Sequence, residues 1–168
     1  MKIKTGDVNL GDVFWSWVGA FIGVGLVSFL HFNLVSGTDL VMLIGSFGAS
    51  AVLLYGAIGS PLAQPRNLLG GHVFSAVVGV SCFRLFSSQL WLASAIAVAT
   101  AIAVMQMTGT VHPPGGATAL IAVIGSDKIH ALGFMYVLVP VGVGAVLMLI
   151  VALVVNKLGK REYPVQAN

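Results

Sequence analysis

Hydrophobic positions in this chain fall in long unbroken stretches, not in the alternation of a half-buried strand or the single stripe of a soluble helix. Such stretches cover about residues 13–32, 40–58, 71–86, 90–108, 117–125 and 132–156, separated by short runs of Gly, Pro, Ser and charged residues. Most reach the ~20 residues that a helix needs to cross a hydrocarbon core of ~30 Å. The stretch 117–125 is the exception: roughly ten residues give only about 15 Å of helix. The pattern predicts an all-α fold, a polytopic transmembrane helical bundle with five or six hydrophobic segments. The first stretch follows Met1-Lys2-Ile3-Lys4 and so superficially resembles a signal sequence. It has span length and no small-residue cleavage site before further apolar sequence, so it reads as a retained helix.

Composition agrees. Hydrophobic residues make up 58% of the chain, charged residues 8%, and the mean hydropathy is +1.01. About a quarter of an ordinary soluble domain is charged, so these residues cannot cover a water-facing surface. The 168 residues therefore read as a single transmembrane domain, 1–168, with no soluble domain. The 21 glycines suit helices that pack closely through small residues. Cys82 is the only cysteine, which excludes an internal disulfide or a cysteine-based metal site.

The net charge of +3 does not indicate nucleic acid, because the basic residues form no extended patch. They carry topology instead. If six segments cross, Lys2, Lys4, Arg66, Lys157, Lys160 and Arg161 share one side, and only Arg84 and Lys128 face the other. The positive-inside rule then places both termini in the cytoplasm and the protein in the inner, or plasma, membrane.

Two interior loops look alike. Residues 59–79 can be laid over 109–125: in each, a helix ends at a Gly-polar pair, prolines interrupt, and Gly-Gly opens a small-residue helix. This is a candidate internal repeat in which two Pro-Gly-Gly loops open short helices. Its copies would be parallel with six crossings, and inverted if 71–86 or 117–125 are re-entrant. Irregular backbone at membrane depth is tolerated only where protein buries it or it lines a cavity. A helix N-terminus there presents free N–H groups and a partial positive charge that attract an anion.

The candidate anion-binding residues are Arg66, Asn67, Gly70, Gly71 and His72 from the first loop, and His112, Gly115, Gly116 and Thr118 from the second. Arg66 supplies the full positive charge, unless it is simply a cytoplasmic topology residue. His72 and His112 supply donors whose charge changes near neutral pH, although His112 before two prolines also suits a packed turn. Asn67 and Thr118 add neutral hydrogen bonds, and the glycines admit close approach. On this reading a valine at Gly116 would fill the ion's place. Gly19 and Gly23 form a GxxxG pair, the signature of helix contact, and count toward association of several copies. No paired carboxylates, nucleophile with its base, HExxH or phosphate-binding loop is present, so the chain does not read as an enzyme, and no metal or cofactor is expected.

At His112-Pro113-Pro114-Gly115-Gly116-Ala117-Thr118-Ala119 the sequence resembles the HPP family of integral membrane proteins, named for its His-Pro-Pro motif. The stretch Pro61-Leu62-Ala63-Gln64-Pro65-Arg66-Asn67 with Gly70-Gly71-His72 is similar to that family's other motif. The resemblance runs from the second segment onward. It implies about four spanning helices and a transport function, with nitrite, or alternatively nitrate, as the solute. The expectation is transport of a small monovalent anion between two Gly-Gly helix N-termini. The expected partners are a small inorganic anion, the lipid bilayer and further copies in a homo-oligomer, since a chain of 17.4 kDa is small to enclose a path alone. The competing reading is a non-transporting membrane scaffold or sensor that partners a soluble regulator.

Overall fold

The computed structural model describes residues 9–35, 37–38 and 40–165. Those residues form helices and connecting loops. In chain order they are α1 (Leu10–Phe29, prolonged by a π-helical turn over Leu30–Leu34), α2 (Ser46–Ala51, prolonged likewise to Gly56), α3 (Pro65–Phe86), α4 (Leu90–Thr108), α5 (Pro113–Ile124), α6 (Asp127–Leu132) and α7 (Val143–Leu158). A kinked π-helical turn at Val137–Gly142, containing Pro140, leads into α7. Among the described residues, four helices are long and apolar enough to cross a membrane: Leu10–Leu34, Pro65–Phe86, Leu90–Thr108 and Val137–Leu158. The apolar helices Ser46–Gly56 and Pro113–Ile124 are shorter.

Contacts fix the alternation of direction. Ser16 near the start of α1 donates to the carbonyl of Tyr55 at the end of α2, and His31 near the end of α1 meets the backbone of Met42 ahead of α2. Arg66 at the start of α3 reaches Thr108 at the end of α4. Arg161 after α7 lies 3.6 Å from Asp12 in α1, so both ends of the described chain stand at one end of the bundle. Arg66 shares that end, and Lys128, which donates to Thr38, marks the opposite one. Lys2 and Lys4, part of the charge argument, lie outside the described residues.

Three sequence readings are corrected. The stretch 40–58 is uniformly apolar, but Leu40–Gly45 is not helical, and the helix begins at Ser46. The third helix begins at Pro65 and not near Gly71, because proline suits the first helical position, where its missing N–H would have no partner. With 22 residues it is a full-length helix, so Arg66 and Asn67 sit in its first turn and Gly70-Gly71 inside it. Lastly, the Gly19/Gly23 pair faces an internal partner. A Cβ on either would run into the ring of Tyr55, whose hydroxyl donates to the Met148 carbonyl. These two glycines therefore seat α1 on α2 within one chain and give no support to self-association.

The two similar stretches pack on each other. Gly71 of α3 meets Gly115 of α5, and Gly79 meets Ala119 and Ala122, so both helices run in the same direction. α5 has 12 residues, about 18 Å of helix. Large apolar residues such as Phe14, Trp17, Phe21, Leu85, Trp91 and Ile150 point outward, as a lipid-facing surface requires.

Candidate functional site

Where α2, α3 and α5 meet, a chain of polar side chains runs through an otherwise apolar interior. Ser46 and Ser50 come from α2, four residues apart and so on one helix face. His72 comes from the second turn of α3, and His112 is the N-cap of α5, whose next turn carries Thr118. All five are buried, Ser46 at 1% exposure and the others at 0%. Unpaired polar groups in such a place cost several kcal/mol by order of magnitude, and here each finds a partner.

Ser50 Oγ lies 2.8 Å from His72 Nε2 and 2.9 Å from His112 Nε2. His112 Nδ1 is 2.8 Å from the Leu62 carbonyl oxygen. His72 Nδ1 is 2.7 Å from Thr118 Oγ1, which is in turn 2.9 Å from Ser46 Oγ. The two imidazole centroids stand 5.0 Å apart, and Phe47 packs edge-on to His72.

The hydrogen-bond pattern assigns the tautomers. A carbonyl can only accept, so His112 must carry its proton on Nδ1, and the neutral ring then accepts at Nε2. Ser50 supplies that hydrogen. Having one hydrogen, Ser50 accepts from His72 Nε2–H, and His72 Nδ1 then accepts from Thr118. With both rings neutral, one backbone carbonyl orders the hydrogens at His112, Ser50 and His72, while the Thr118 hydroxyl also has Ser46 Oγ and the Pro114 carbonyl as acceptors.

Glycines let the two motifs come this close. A Cβ at Gly70 would meet the Thr110 side chain at 2.5 Å, one at Gly71 would meet His112 Cβ at 2.5 Å, and one at Gly115 would lie 2.6 Å from the Gly71 oxygen. Beside Gly115 stands Ser75 Oγ, buried and without a hydrogen-bond partner among the described residues. Gly116 is different. Nothing lies nearer than Val98 at 4.0 Å, because this glycine faces a groove of about 500 Å³ between α4 and α5, lined by Val98, Ile102, Met105 and Leu120. Gly116 thus stands apart from the polar run, and Gly115 holds the crowded position.

Arg66 and Asn67 form an outer layer. Arg66 is exposed and donates to the Thr108 carbonyl at 2.6 Å, closing the end of α4 beside Gly109, whose φ of 64° makes the turn. Asn67 donates to the Val111 carbonyl at 2.9 Å. The free helix N-terminus lies at Pro65 in α3, so only the second Gly-Gly pair stands in the opening turn of its helix, at α5. The structure thus joins Gly70, Gly71, His72, His112, Gly115 and Thr118, sets Arg66 and Asn67 at the rim, and turns Gly116 away. Sequence reasoning missed Ser46, Ser50 and Ser75; the four-residue spacing of the first two was the available signal. As metal donors the two histidines stand alone: among the described residues no third His, Cys, Asp or Glu joins them.

A family model described as HPP, transmembrane region, matches residues 5–164. The chain is 46% identical over 162 residues to one transmembrane protein of Dictyostelium discoideum, covering 94% of this chain and 51% of the relative. It is 44% identical over 161 residues to a second from the same organism, covering 93% and 56%. The chain thus spans about half the length of these curated relatives. No solved structure matches it significantly.

Proposed function

We propose that this chain, which belongs to the HPP transmembrane family, carries a small monovalent anion, nitrite or nitrate, across the membrane in which it is embedded. The observation that supports this most is the buried run Ser46, Thr118, His72, Ser50 and His112 at the junction of the two motifs. Apolar side chains would fill that space at less cost, and polar groups kept within a membrane bundle mark solute or proton pathways. His112 caps α5, whose N-terminal end carries the positive pole of the helix dipole. Arg66, exposed at the same end of the bundle, offers a full charge that draws anions toward it.

The route of this proposal runs from Arg66 past Asn67 and Thr110 to His112, Ser50, His72 and Thr118. Because the inner residues are fully buried, passage requires the short helices α2 and α5 to shift against α3. The end holding Arg66, Asp12 and Arg161 is assigned to the cytoplasm of a plasma-membrane protein, by the basic bias already described. Assembly of several copies belongs to the proposal on the ground of the chain's small size. No catalytic step does.

Uptake of nitrite, nitrate, formate and chloride into liposomes containing only this protein, against protein-free vesicles, tests the reading. Saturable uptake of nitrite or nitrate that exceeds the lipid background is expected. No uptake of any of the four would leave the non-transporting scaffold standing.

A further inference from the structure

Away from the polar run, α1 and α2 enclose two adjoining cavities that the transport reading does not use. The first, of about 600 Å³, opens at the end of the bundle where α1 begins, and Asn9, Asp12, Ser16, Gly59, Ser60 and Arg161 line it. The second, of about 410 Å³, runs between the two helices and is bordered by Ala20, Val24, Gly48, Ala51 and Val52. Ser16 and Gly56 border both, so the two form one furrow. Along α1 its wall steps turn by turn from Asp12 through Ser16 and Ala20 to Val24, about 18 Å of helix. Charge gives way to a hydroxyl and then to apolar side chains alone.

Arg161 is the cation of the polar end. Its side chain is only 8% exposed, yet of the five N–H donors of a guanidinium one reaches a protein acceptor, the Tyr55 carbonyl at 2.6 Å from Nη2. Nε stands 3.6 Å from the Asp12 carboxylate, and Nη1 is buried with no hydrogen-bond partner among the described residues. Buried donors of a charged group call for an anionic oxygen. Ser60 adds to them: its Oγ accepts from the Leu62 N–H at 3.2 Å, and its own hydrogen has no acceptor among the described residues. The first turn of α1 brings the positive pole of a 20-residue helix. Asp12 is set differently. At 56% exposure its carboxylate can take a second cation beside Arg161.

We propose that this furrow binds one phospholipid whose head carries a primary ammonium, as in phosphatidylethanolamine. Its phosphate meets Arg161, Ser60 and the start of α1, its ammonium meets Asp12, and one acyl chain lies between α1 and α2. This is independent of the transport reading. Depth supports it, since Trp15 and Trp17 in the same turns of α1 mark the boundary where lipid heads lie. Charge supports it too: a zwitterionic head matches a site with one charge of each sign, whereas phosphatidylglycerol leaves Asp12 facing a phosphate. Choline has no N–H and is held by aromatic faces, and no aromatic side chain lines the polar cavity among the described residues. The apolar part opens on the lipid side of α2, because a Cβ at Gly48 or Gly56 meets nothing within 4 Å, while Ser46 and Ser50 are buried.

The test exposes the full chain in mild detergent to an equimolar mixture of phosphatidylethanolamine, phosphatidylcholine and phosphatidylglycerol with identical acyl chains, and reads retained lipid by native mass spectrometry. The expected result is one phosphatidylethanolamine per chain, at least about fivefold over either other lipid, the scale of one hydrogen bond to a charged group. Asp12→Asn, an exposed and nearly isosteric change, should bring phosphatidylethanolamine down to the phosphatidylcholine level. Gly48→Leu, which extends into the apolar part, should lower retention of all three. Each variant is first checked to be monodisperse. Equal retention of the three lipids by the parent protein, or a preference that survives Asp12→Asn, would overturn the assignment. So would displacement of the lipid by soluble glycerophosphoethanolamine at equal concentration, because the cavity would then take the head alone.

Discussion

Gly115 rests directly on Gly71: a Cβ on the first would come within 2.6 Å of the second's carbonyl oxygen, so the two motifs touch backbone to backbone. Gly115→Ala must therefore push α5 off α3, at a cost of ~1–3 kcal/mol typical of overpacking. Gly116→Ala faces open groove and trades glycine for a better helix former, a gain of up to ~1 kcal/mol. Thermal unfolding in detergent should show a lowered midpoint for the first variant and an equal or raised one for the second. The reverse order would mean that α5 is rotated from the position described.

Ser50 is the shared partner of His72 and His112. Ser50→Ala leaves one buried ring nitrogen on each histidine without a partner, and such losses run to ~1–3 kcal/mol per group. Ser50→Thr keeps the hydroxyl and should retain most of the stability. Equal melting of the alanine, threonine and parent proteins would show that the hydroxyl bridges nothing.

Arg66 is exposed and closes the end of α4 through the Thr108 carbonyl. Its replacement by alanine should cost no more than about 1 kcal/mol of stability, the scale of a screened interaction at a helix end. If it draws anions to the mouth, the KM for uptake should rise several-fold while the maximal rate holds, and the effect should shrink at high salt. A collapse of the maximal rate with unchanged KM would place Arg66 in the translocation step instead.

Single cysteines at Lys2, Arg66 and Lys160 in a Cys82→Ala background should react with an impermeant reagent from one side of the membrane, and one at Lys128 from the other. The contacts Arg161–Asp12 and Lys128–Thr38 set this expectation for Lys160 and Lys128, and the bias of basic residues sets it for Lys2. Labelling of Lys2 and Lys160 from opposite faces would break it.

Most of the bundle was legible because hydrophobic length is a strong signal: the first, fourth and last segments lie close to α1, α4 and the 137–158 helix. Three features were not. A run of apolar residues reads alike whether helical or extended, which hid the late start of α2 at Ser46. Pro65 looked like loop punctuation, although it opens α3. The centre of the site hid for another reason. Ser46 and Ser50 are single hydroxyls within an apolar stretch, where serine commonly bonds its own helix backbone, as Ser50 also does to Ser46. The histidines, glycines and Thr118 were visible as a motif, but only the packing of α2 against α3 and α5 shows what joins them.

The short length of α5 has a consequence for how the protein meets its bilayer. A helix of about 18 Å cannot match a hydrocarbon core of ~30 Å, and α2 is similarly short, whereas the four long helices match it on their own. Hydrophobic mismatch penalises sliding a lipid-matched helix along the membrane normal. α2 and α5 bury Ser50, Phe47, Thr118 and Ala119 against protein and so take their depth from neighbouring helices instead of from lipid. The long helices thus hold the register of the protein in the membrane, and the short pair that carries the polar run can change depth without stretching or thinning the surrounding bilayer.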